Sequence, residues 1–284
     1  MGKIDEAYQK MELRGMAAFW KLLFFAMQFS VLFSVLRAFH REYLIIIFVV
    51  MYIPMVKTVR KIKTKKRKKY EWDFYTEVSN IYAEKGCNKD LADRIYRFIY
   101  NLKVHSGNVV IYYVLLRILA FYNLGTNNNE EVLALMDMID RDTMESFHEK
   151  DADLDLLIVE YYAMRTIAAA RLNDAQKTEQ YFNEAQGPFE KYKVKDDGKL
   201  KAIASVMHEI VCGSVDEAER MIEEYFGNGI SEGTYWIMMG RCAFKRGDIE
   251  KGNELFEKAK ALENDEAYRE GLEKKRKVLA VEVT

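Results

Sequence analysis

Two apolar runs lie close together near the N-terminus of the chain. Residues 15–36 include a single charge, Lys21, and residues 43–59 include only Lys57. At 1.5 Å per residue the first run is ~33 Å long as a helix, enough to cross the ~30 Å apolar core of a bilayer, whereas the second reaches only ~26 Å. The sequence therefore predicts a membrane helical hairpin over 15–59, whose second arm either crosses the bilayer or enters it only partway.

A strongly basic segment follows the second apolar run. Nine of the thirteen residues in 57–69 are Lys or Arg, against three in the N-terminal segment 1–14. Because basic flanks stay on the cytoplasmic side, this juxtamembrane segment and the segment 1–14 are both expected in the cytoplasm. We expect the basic side chains to set the topology and to contact anionic lipid headgroups; they are Lys57, Arg60, Lys61, Lys63, Lys65, Lys66, Arg67, Lys68 and Lys69. A nucleic-acid arm is the alternative, but the segment lacks the interleaved aromatic residues that stack on bases.

The charge of the chain is divided between its two parts. Residues 1–69 carry 15 basic and 4 acidic side chains, whereas the remainder carries 28 basic and 40 acidic ones. An acidic C-terminal part favours partners with basic or mixed segments and disfavours direct nucleic-acid binding. The three cysteines form no C-x-x-C pair, which suits a reducing compartment. Together these features predict an integral membrane protein of the bacterial inner membrane with a cytoplasmic C-terminal part.

The C-terminal part, 70–284, reads as a series of helices. The whole chain has only two prolines, and amphipathic runs of helical length alternate with short polar breaks. We predict an all-α domain of about five helical hairpins and a final helix at 266–280. The predicted hairpins are 72–85 with 88–101, 109–124 with 128–139, 154–172 with 175–186, 199–212 with 215–226, and 234–246 with 249–262. Residues 141–153 and 187–198 are expected to be linkers.

The last hairpin carries a recognisable motif. Its first helix contains Trp236, Met239, Gly240 and Phe244, and its second contains Phe256. This pattern resembles the tetratricopeptide repeat, W-x2-L-G-x2-Y followed by A-x3-F and a proline. Departures are Met239 for Leu, Gly252 for Ala and Asn264 for Pro, and weaker copies precede this unit. The repeat-defining structural residues would be Trp236, Gly240, Gly247, Phe256 and Ala259. The resemblance implies a tetratricopeptide-like α-solenoid.

The resemblance also implies a partner-binding face. In this family the first helix of each pair lines the concave surface and binds peptides or partner helices. The matching residues here are Ile203, Met207, Ile210, Ile237, Arg241, Phe244 and Lys245. Packing between repeats is the alternative role for the apolar members of this set. The polar clamp that some family members use to hold a C-terminal carboxylate is absent, because Met207 and Ile237 stand where its polar groups would be needed.

Three classes of function remain open from the sequence. The leading one is a membrane-tethered scaffold or adaptor whose helical repeats bind protein or peptide partners. A second is an accessory subunit of a transport or secretion complex, contacting its partner through the intramembrane polar residues Lys21 and Gln28, although Lys21 could instead reach the membrane surface. The third and least favoured is an enzyme with a dispersed active site, since the sequence has no phosphate-binding loop and no local zinc motif. No metal or cofactor is expected, and the acidic stretch from Asp140 to Asp155 is more typical of a solvated linker than of a calcium loop.

Overall fold

The computed structural model describes most of the chain from Tyr43 onward. The described ranges are 43–102, 109–148, 155–192, 198–226 and 230–283, together with the single positions 27, 30, 31, 34 and 37. Within these ranges the chain forms helices and no strand, which confirms the predicted all-α class.

The described ranges contain twelve helices of very different length. In chain order they are α1 (Tyr43–Lys85), α2 (Lys89–Leu102), α3 (Val109–Gly125), α4 (Asn129–Asp137), α5 (Arg141–His148), α6 (Asp155–Arg171), α7 (Ala175–Lys191), α8 (Gly198–Cys212), α9 (Val215–Tyr225), α10 (Glu232–Lys245), α11 (Ile249–Ala261) and α12 (Glu266–Val283).

Helix α1 joins three segments that the sequence analysis treated separately. It runs for 43 residues, so it contains the second apolar run, the basic segment 57–69 and the helix predicted to begin at Trp72. The expected break before Trp72 is wrong, because Lys and Arg are good helix formers and no glycine interrupts the segment. The helix also includes Pro54, whose carbonyl accepts a hydrogen bond from Thr58 Oγ1 at 2.8 Å.

The structure describes only part of the predicted membrane hairpin. Its first arm, 15–36, lies outside the described residues except for Met27, Ser30, Val31 and Ser34. Across the described part of the chain, no helix combines the length and the apolar character that crossing a membrane requires.

The chain divides into two compact units. The first comprises residues up to Ile81 together with Arg97–Ile111, and the second comprises Tyr82–Tyr96 and Tyr112–Thr284. In the first unit, Phe74 of α1 stacks on Phe98 of α2 with ring centroids 3.7 Å apart. Both side chains are buried, so this aromatic pair joins the two helices within that unit.

In the second unit, successive helices pack against each other as helical hairpins joined by tight turns. Helix α6 packs on α7, α8 on α9 and α10 on α11. Two of these turns use a left-handed residue, Asn173 at φ 56° and Gly247 at φ 83°. The following aspartates, Asp174 and Asp248, cap the next helix by accepting a backbone N–H at 3.0 Å. These local signals explain why the sequence located the hairpins to within a few residues.

The first helices of these pairs also form a row. Helix α6 packs on α8, α8 on α10 and α10 on α12. Helix α12 then returns to the end of α3, where the Tyr268 ring lies edge-on to Tyr122 and its hydroxyl donates to the Cys87 carbonyl at 3.2 Å. Gly271 approaches the backbone of Thr126 so closely that a Cβ would lie 2.6 Å from it. The row of first helices therefore ends against the beginning of the same unit.

Helices α10 and α11 pack closely where small residues of one meet aromatic rings of the other. A Cβ at Gly240 would lie 2.7 Å from the Phe256 ring, and one at Gly252 would lie 2.9 Å from the Phe244 ring. Phe256 and Ala259 are buried, while Trp236 is partly buried against the same cluster. The small residues thus let α10 and α11 approach closely around aromatic side chains.

Two predicted linkers contain helix. Residues 141–148 form α5, which the sequence analysis missed because the helix is short and mostly polar. Helix α7 continues past Gly187 and Pro188 to Lys191, where the Pro188 carbonyl accepts the Tyr192 N–H at 2.9 Å. Proline removes a donor but keeps its carbonyl, so one more helical turn can form after it.

Candidate functional site

A cavity in the second unit brings together part of the predicted partner-binding face. Its volume is about 410 Å³, and it lies among the end of α8, the end of α10 and α12. Four of the seven predicted residues line it, namely Ile210, Arg241, Phe244 and Lys245. The other lining residues are Asn173, Val211, Arg246, Gly247 and Leu279.

The lining has an exposed rim and a buried interior. Lys245, Arg246 and Gly247 are exposed where α10 ends and the turn to α11 begins. Arg241 and Phe244 lie deeper, with 3% and 1% of their surfaces exposed. The lining contains three cationic side chains and no carboxylate, and one of the three, Arg246, is paired with Asp216 and Glu219.

The three remaining residues of the predicted face do not line this cavity. Met207 is buried in the apolar cluster formed by α8, α9 and α10. Ile203 packs against the same cluster, and Ile237 packs against the cluster around Phe256. Their packing within the chain corresponds to the alternative role that the sequence left open for them.

Arg241, a buried residue of the cavity lining, interacts electrostatically with two other cationic side chains. Arg241 lines the cavity, and its Nη2 donates to the Ala170 carbonyl at 2.9 Å. Arg171 is partly buried and its Nη1 donates to the Leu124 carbonyl. These carbonyls lie in the last turns of α6 and α3, where the helix dipole is negative and favours a cation.

Lys275 of α12 is the third cation and is 4% exposed. Its ammonium lies 6.0 Å from the centre of the Phe256 ring. Burial, and then the charges of Arg171 and Arg241, hold the pKa of Lys275 well below its ordinary value of 10.5. Among the described residues no carboxylate is paired with Lys275 or with Arg171.

The thiols give little sign of covalent chemistry. Burial raises the pKa of Cys87 and of Cys242 to about 12, so both remain protonated at neutral pH. A protonated buried thiol is a poor nucleophile and a poor metal ligand. These two cysteines therefore act as small apolar residues.

The third cysteine, Cys212, is exposed at the end of α8. Its sulfur and donor atoms of Glu179 and His208 lie within 4.8 Å of one another, close enough to hold a divalent metal. The sequence did not reveal this set, because Glu179 lies on α7 whereas His208 and Cys212 lie four residues apart on α8. However, His208 Nε2 already hydrogen-bonds Glu179 Oε2 at 2.7 Å, and its ring stacks on Phe182. That hydrogen bond and that stacking hold the His208 ring beside Glu179 even without a metal.

The acidic stretch considered as a calcium loop serves a structural role where it is described. Asp140 caps α5, accepting from the Asp142 backbone N–H at 3.2 Å and from Thr143 Oγ1 at 2.6 Å. The Thr143 hydroxyl bond is the largest cause that lowers the pKa of Asp140. This geometry is that of a helix N-cap, while residues 149–154 lie outside the described ranges.

The basic segment lies on α1. Eight of its nine Lys and Arg side chains are exposed, and the ninth, Arg67, is partly buried and pairs with Glu71 at 2.9 Å. Lys21 and Gln28, the predicted intramembrane polar residues, lie outside the described residues.

Comparisons with known proteins find no similar protein. No family model matches the chain, and no curated protein or solved structure matches it.

Proposed function

We propose that this chain is a membrane-tethered scaffold whose C-terminal helices bind protein or peptide partners at the cytoplasmic face of the membrane. In this proposal the segment 15–59 is the anchor, the basic part of α1 sits on the headgroups, and the second unit is a tetratricopeptide-like solenoid. The observation that carries the proposal is the convergence of Ile210, Arg241, Phe244 and Lys245 on one cavity.

Membrane attachment is supported by apolar side chains that the chain itself leaves uncovered. Met27 and Val31 are 57% and 65% exposed, and Ile53 is 50% exposed. Met27 and Val31 are four residues apart and would share one face of a helix. The exposed Lys and Arg side chains of α1 follow directly, and each one near an anionic surface contributes about 1 kcal/mol of attraction.

Partner binding is supported by the rim of the cavity. Lys245 is exposed beside the buried ring of Phe244, so an incoming side chain would meet a cation first and apolar surface next. Lys245 is the cation of the rim that would contact a partner, because the adjoining Arg246 is already paired with Asp216 and Glu219. We expect a partner to contact this rim rather than an extended groove.

A crosslinking experiment in membranes tests the proposal. A photo-reactive amino acid replaces Lys245 in the full chain, and the matched control carries it at Lys251, an exposed lysine of α11. We expect protein adducts from position 245 and few from position 251. We also expect the adducts to disappear when residues 1–69 are deleted, because the anchor raises the local concentration of the partner.

Two outcomes would contradict the proposal. Equal adducts from positions 245 and 251 would show that the cavity rim is not a partner site. Recovery of the full chain from broken cells in soluble form without detergent would show that the segment 15–59 is not an anchor.

A further inference from the structure

Three side chains that can bind a metal ion meet where α7 packs on α8. Glu179 lies on α7, whereas His208 and Cys212 lie four residues apart on α8, so these two share one face of that helix. One donor atom from each side chain lies within 4.8 Å of the other two. The Cys212 sulfur also lies 3.5 Å from the Ala175 carbonyl oxygen in the first turn of α7. The thiol therefore faces α7 although it is exposed.

We propose that Glu179, His208 and Cys212 form a zinc site that joins α7 to α8. Carboxylate, imidazole and thiolate are the three kinds of side-chain ligand that zinc takes in proteins. The nitrogen and sulfur donors disfavour calcium and magnesium, which prefer oxygen ligands. The set has three donors among the described residues, so the fourth position of a tetrahedral ion would hold water. This binding is an activity beyond the scaffold role and does not depend on it.

Only a small movement would bring the donor atoms onto a zinc ion. The ligand atoms of a tetrahedral zinc ion lie about 3.3–3.6 Å apart, because its bonds are roughly 2.0–2.3 Å long. His208 Nε2 and Glu179 Oε2 are slightly closer than this, at 2.7 Å, and the sulfur lies within 4.8 Å of the other two donor atoms. The Glu179 side chain is 52% exposed, so it can adjust without disturbing the packing of the helices.

Neighbouring groups already orient two of the three ligands. The Phe182 ring stacks on the His208 imidazole with centroids 4.1 Å apart. Asn183 Nδ2 donates to Glu179 Oε1 at 3.0 Å, which leaves Oε2 directed at His208. The second ring nitrogen, His208 Nδ1, lies 3.5 Å from Glu209 Oε1. A carboxylate beside the second nitrogen is usual for a zinc-bound histidine, because it orients the ring and makes it a stronger ligand.

A simple hydrogen bond between Glu179 and His208 is the alternative. It explains the positions of those two side chains, but it does not involve Cys212. Zinc would convert the Cys212 thiol to a thiolate and release its proton to solvent, whereas the hydrogen bond alone leaves the thiol unchanged. The state of the sulfur therefore distinguishes the two interpretations.

Metal titration of the full chain, purified in a nonionic detergent with a thiol-free reductant, tests the inference. Cobalt(II) is the first probe, because a thiolate bound to it gives a near-ultraviolet charge-transfer absorption, and zinc is then added to displace the cobalt. We expect one equivalent of cobalt per chain to produce this absorption and zinc to abolish it. Cys212→Ala should remove the absorption and weaken zinc binding at least tenfold. The control Cys87→Ala, at a buried thiol outside the set, should preserve both.

A second pair of variants tests the carboxylate. Glu179→Ala should weaken zinc binding at least tenfold, whereas the control Glu190→Ala, at another exposed glutamate of α7, should change it less than twofold. Three results would overturn the inference. They are absence of the charge-transfer absorption from the unchanged chain, its persistence in Cys212→Ala, and equal zinc affinity in Glu179→Ala and Glu190→Ala.

Discussion

Replacing Lys275 with methionine should stabilise the protein. The ammonium is 4% exposed, has no carboxylate partner among the described residues, and is repelled by two arginines. Replacing buried charges with apolar residues of similar volume often stabilises proteins by about 1–4 kcal/mol. Methionine is unbranched, is similar in volume to lysine, and can keep a favourable contact with the Phe256 ring. We expect a gain of about 1–3 kcal/mol, since one charge of three is removed.

The gain is measurable as a rise in the melting temperature. For a unit of this size, 1 kcal/mol corresponds to roughly 2–4 °C, so Lys275→Met should melt about 2–12 °C higher. The assay follows tryptophan fluorescence during heating of the full chain in chloride buffer, because Trp236 packs beside the cluster around Phe256. Lys274→Met is the control and should change stability by less than about 0.5 kcal/mol. A lower melting temperature for Lys275→Met would refute the reasoning, since it would mean that the ammonium is well satisfied in the folded state.

The gain should also depend on pH in a defined direction. Because burial and the two arginines lower the pKa of Lys275 in the folded state, the unfolded chain binds more protons between that lowered pKa and about 10.4, the ordinary lysine value. The stability of the unchanged protein should therefore rise with pH across this window. The advantage of Lys275→Met should be largest at the acidic end and shrink as the pH approaches 10. An advantage that grows with pH would contradict the assignment of the cost to the charged lysine.

Two further substitutions test the packing and the electrostatics of the second unit. At Gly125 a Cβ would lie 1.4 Å from the Tyr268 ring, so Gly125→Ala should cost about 2–3 kcal/mol in a urea unfolding experiment. The control Gly187→Ala, where a Cβ meets nothing within 4 Å, should cost nothing. Hydrogen bonds, of which the one from Arg276 has the largest effect, lower the pKa of Glu273 to about 2. The ionised carboxylate therefore stabilises the fold above about pH 4.3, and this contribution is lost as the pH falls towards 2. Glu273→Gln should therefore lower the melting temperature at pH 7, and the loss of stability should be no more than about 1 kcal/mol. Near pH 2 the variant should melt at the same temperature as the unchanged protein. A difference that persists at pH 2 would assign the effect to packing.

The hairpins were predictable because their signals are local. The Asn173-Asp174 and Gly247-Asp248 turns each combine a residue suited to a left-handed backbone with a capping aspartate. Such signals require only a few consecutive residues, so they can be recognised in a single sequence. The same locality explains the errors. Pro188 predicted a helix end that the following turn of α7 overrides, and the short helix α5 lacked a long apolar period.

The proximity of Arg171, Arg241 and Lys275 could not be predicted in this way. Arg171, Arg241 and Lys275 come from α6, α10 and α12, and only tertiary packing brings their charges together. The net charge of the C-terminal part is acidic, so an average over the sequence conceals the local positive site. The return of α12 to α3 depends on contacts such as that of Tyr268 with Gly125. In the sequence, Gly125 indicated only a turn.

That return of α12 changes what the resemblance to tetratricopeptide repeats implies. In an open array the first helices present their inner faces to solvent, so Met207, Arg241 and Phe244 would be available along a groove. Here Met207 is buried among α8, α9 and α10, and Arg241 and Phe244 are buried where α12 packs against α10. An extended peptide cannot reach them without separating packed helices. In the proposed function, a protein partner therefore contacts the exposed rim of the cavity at Lys245.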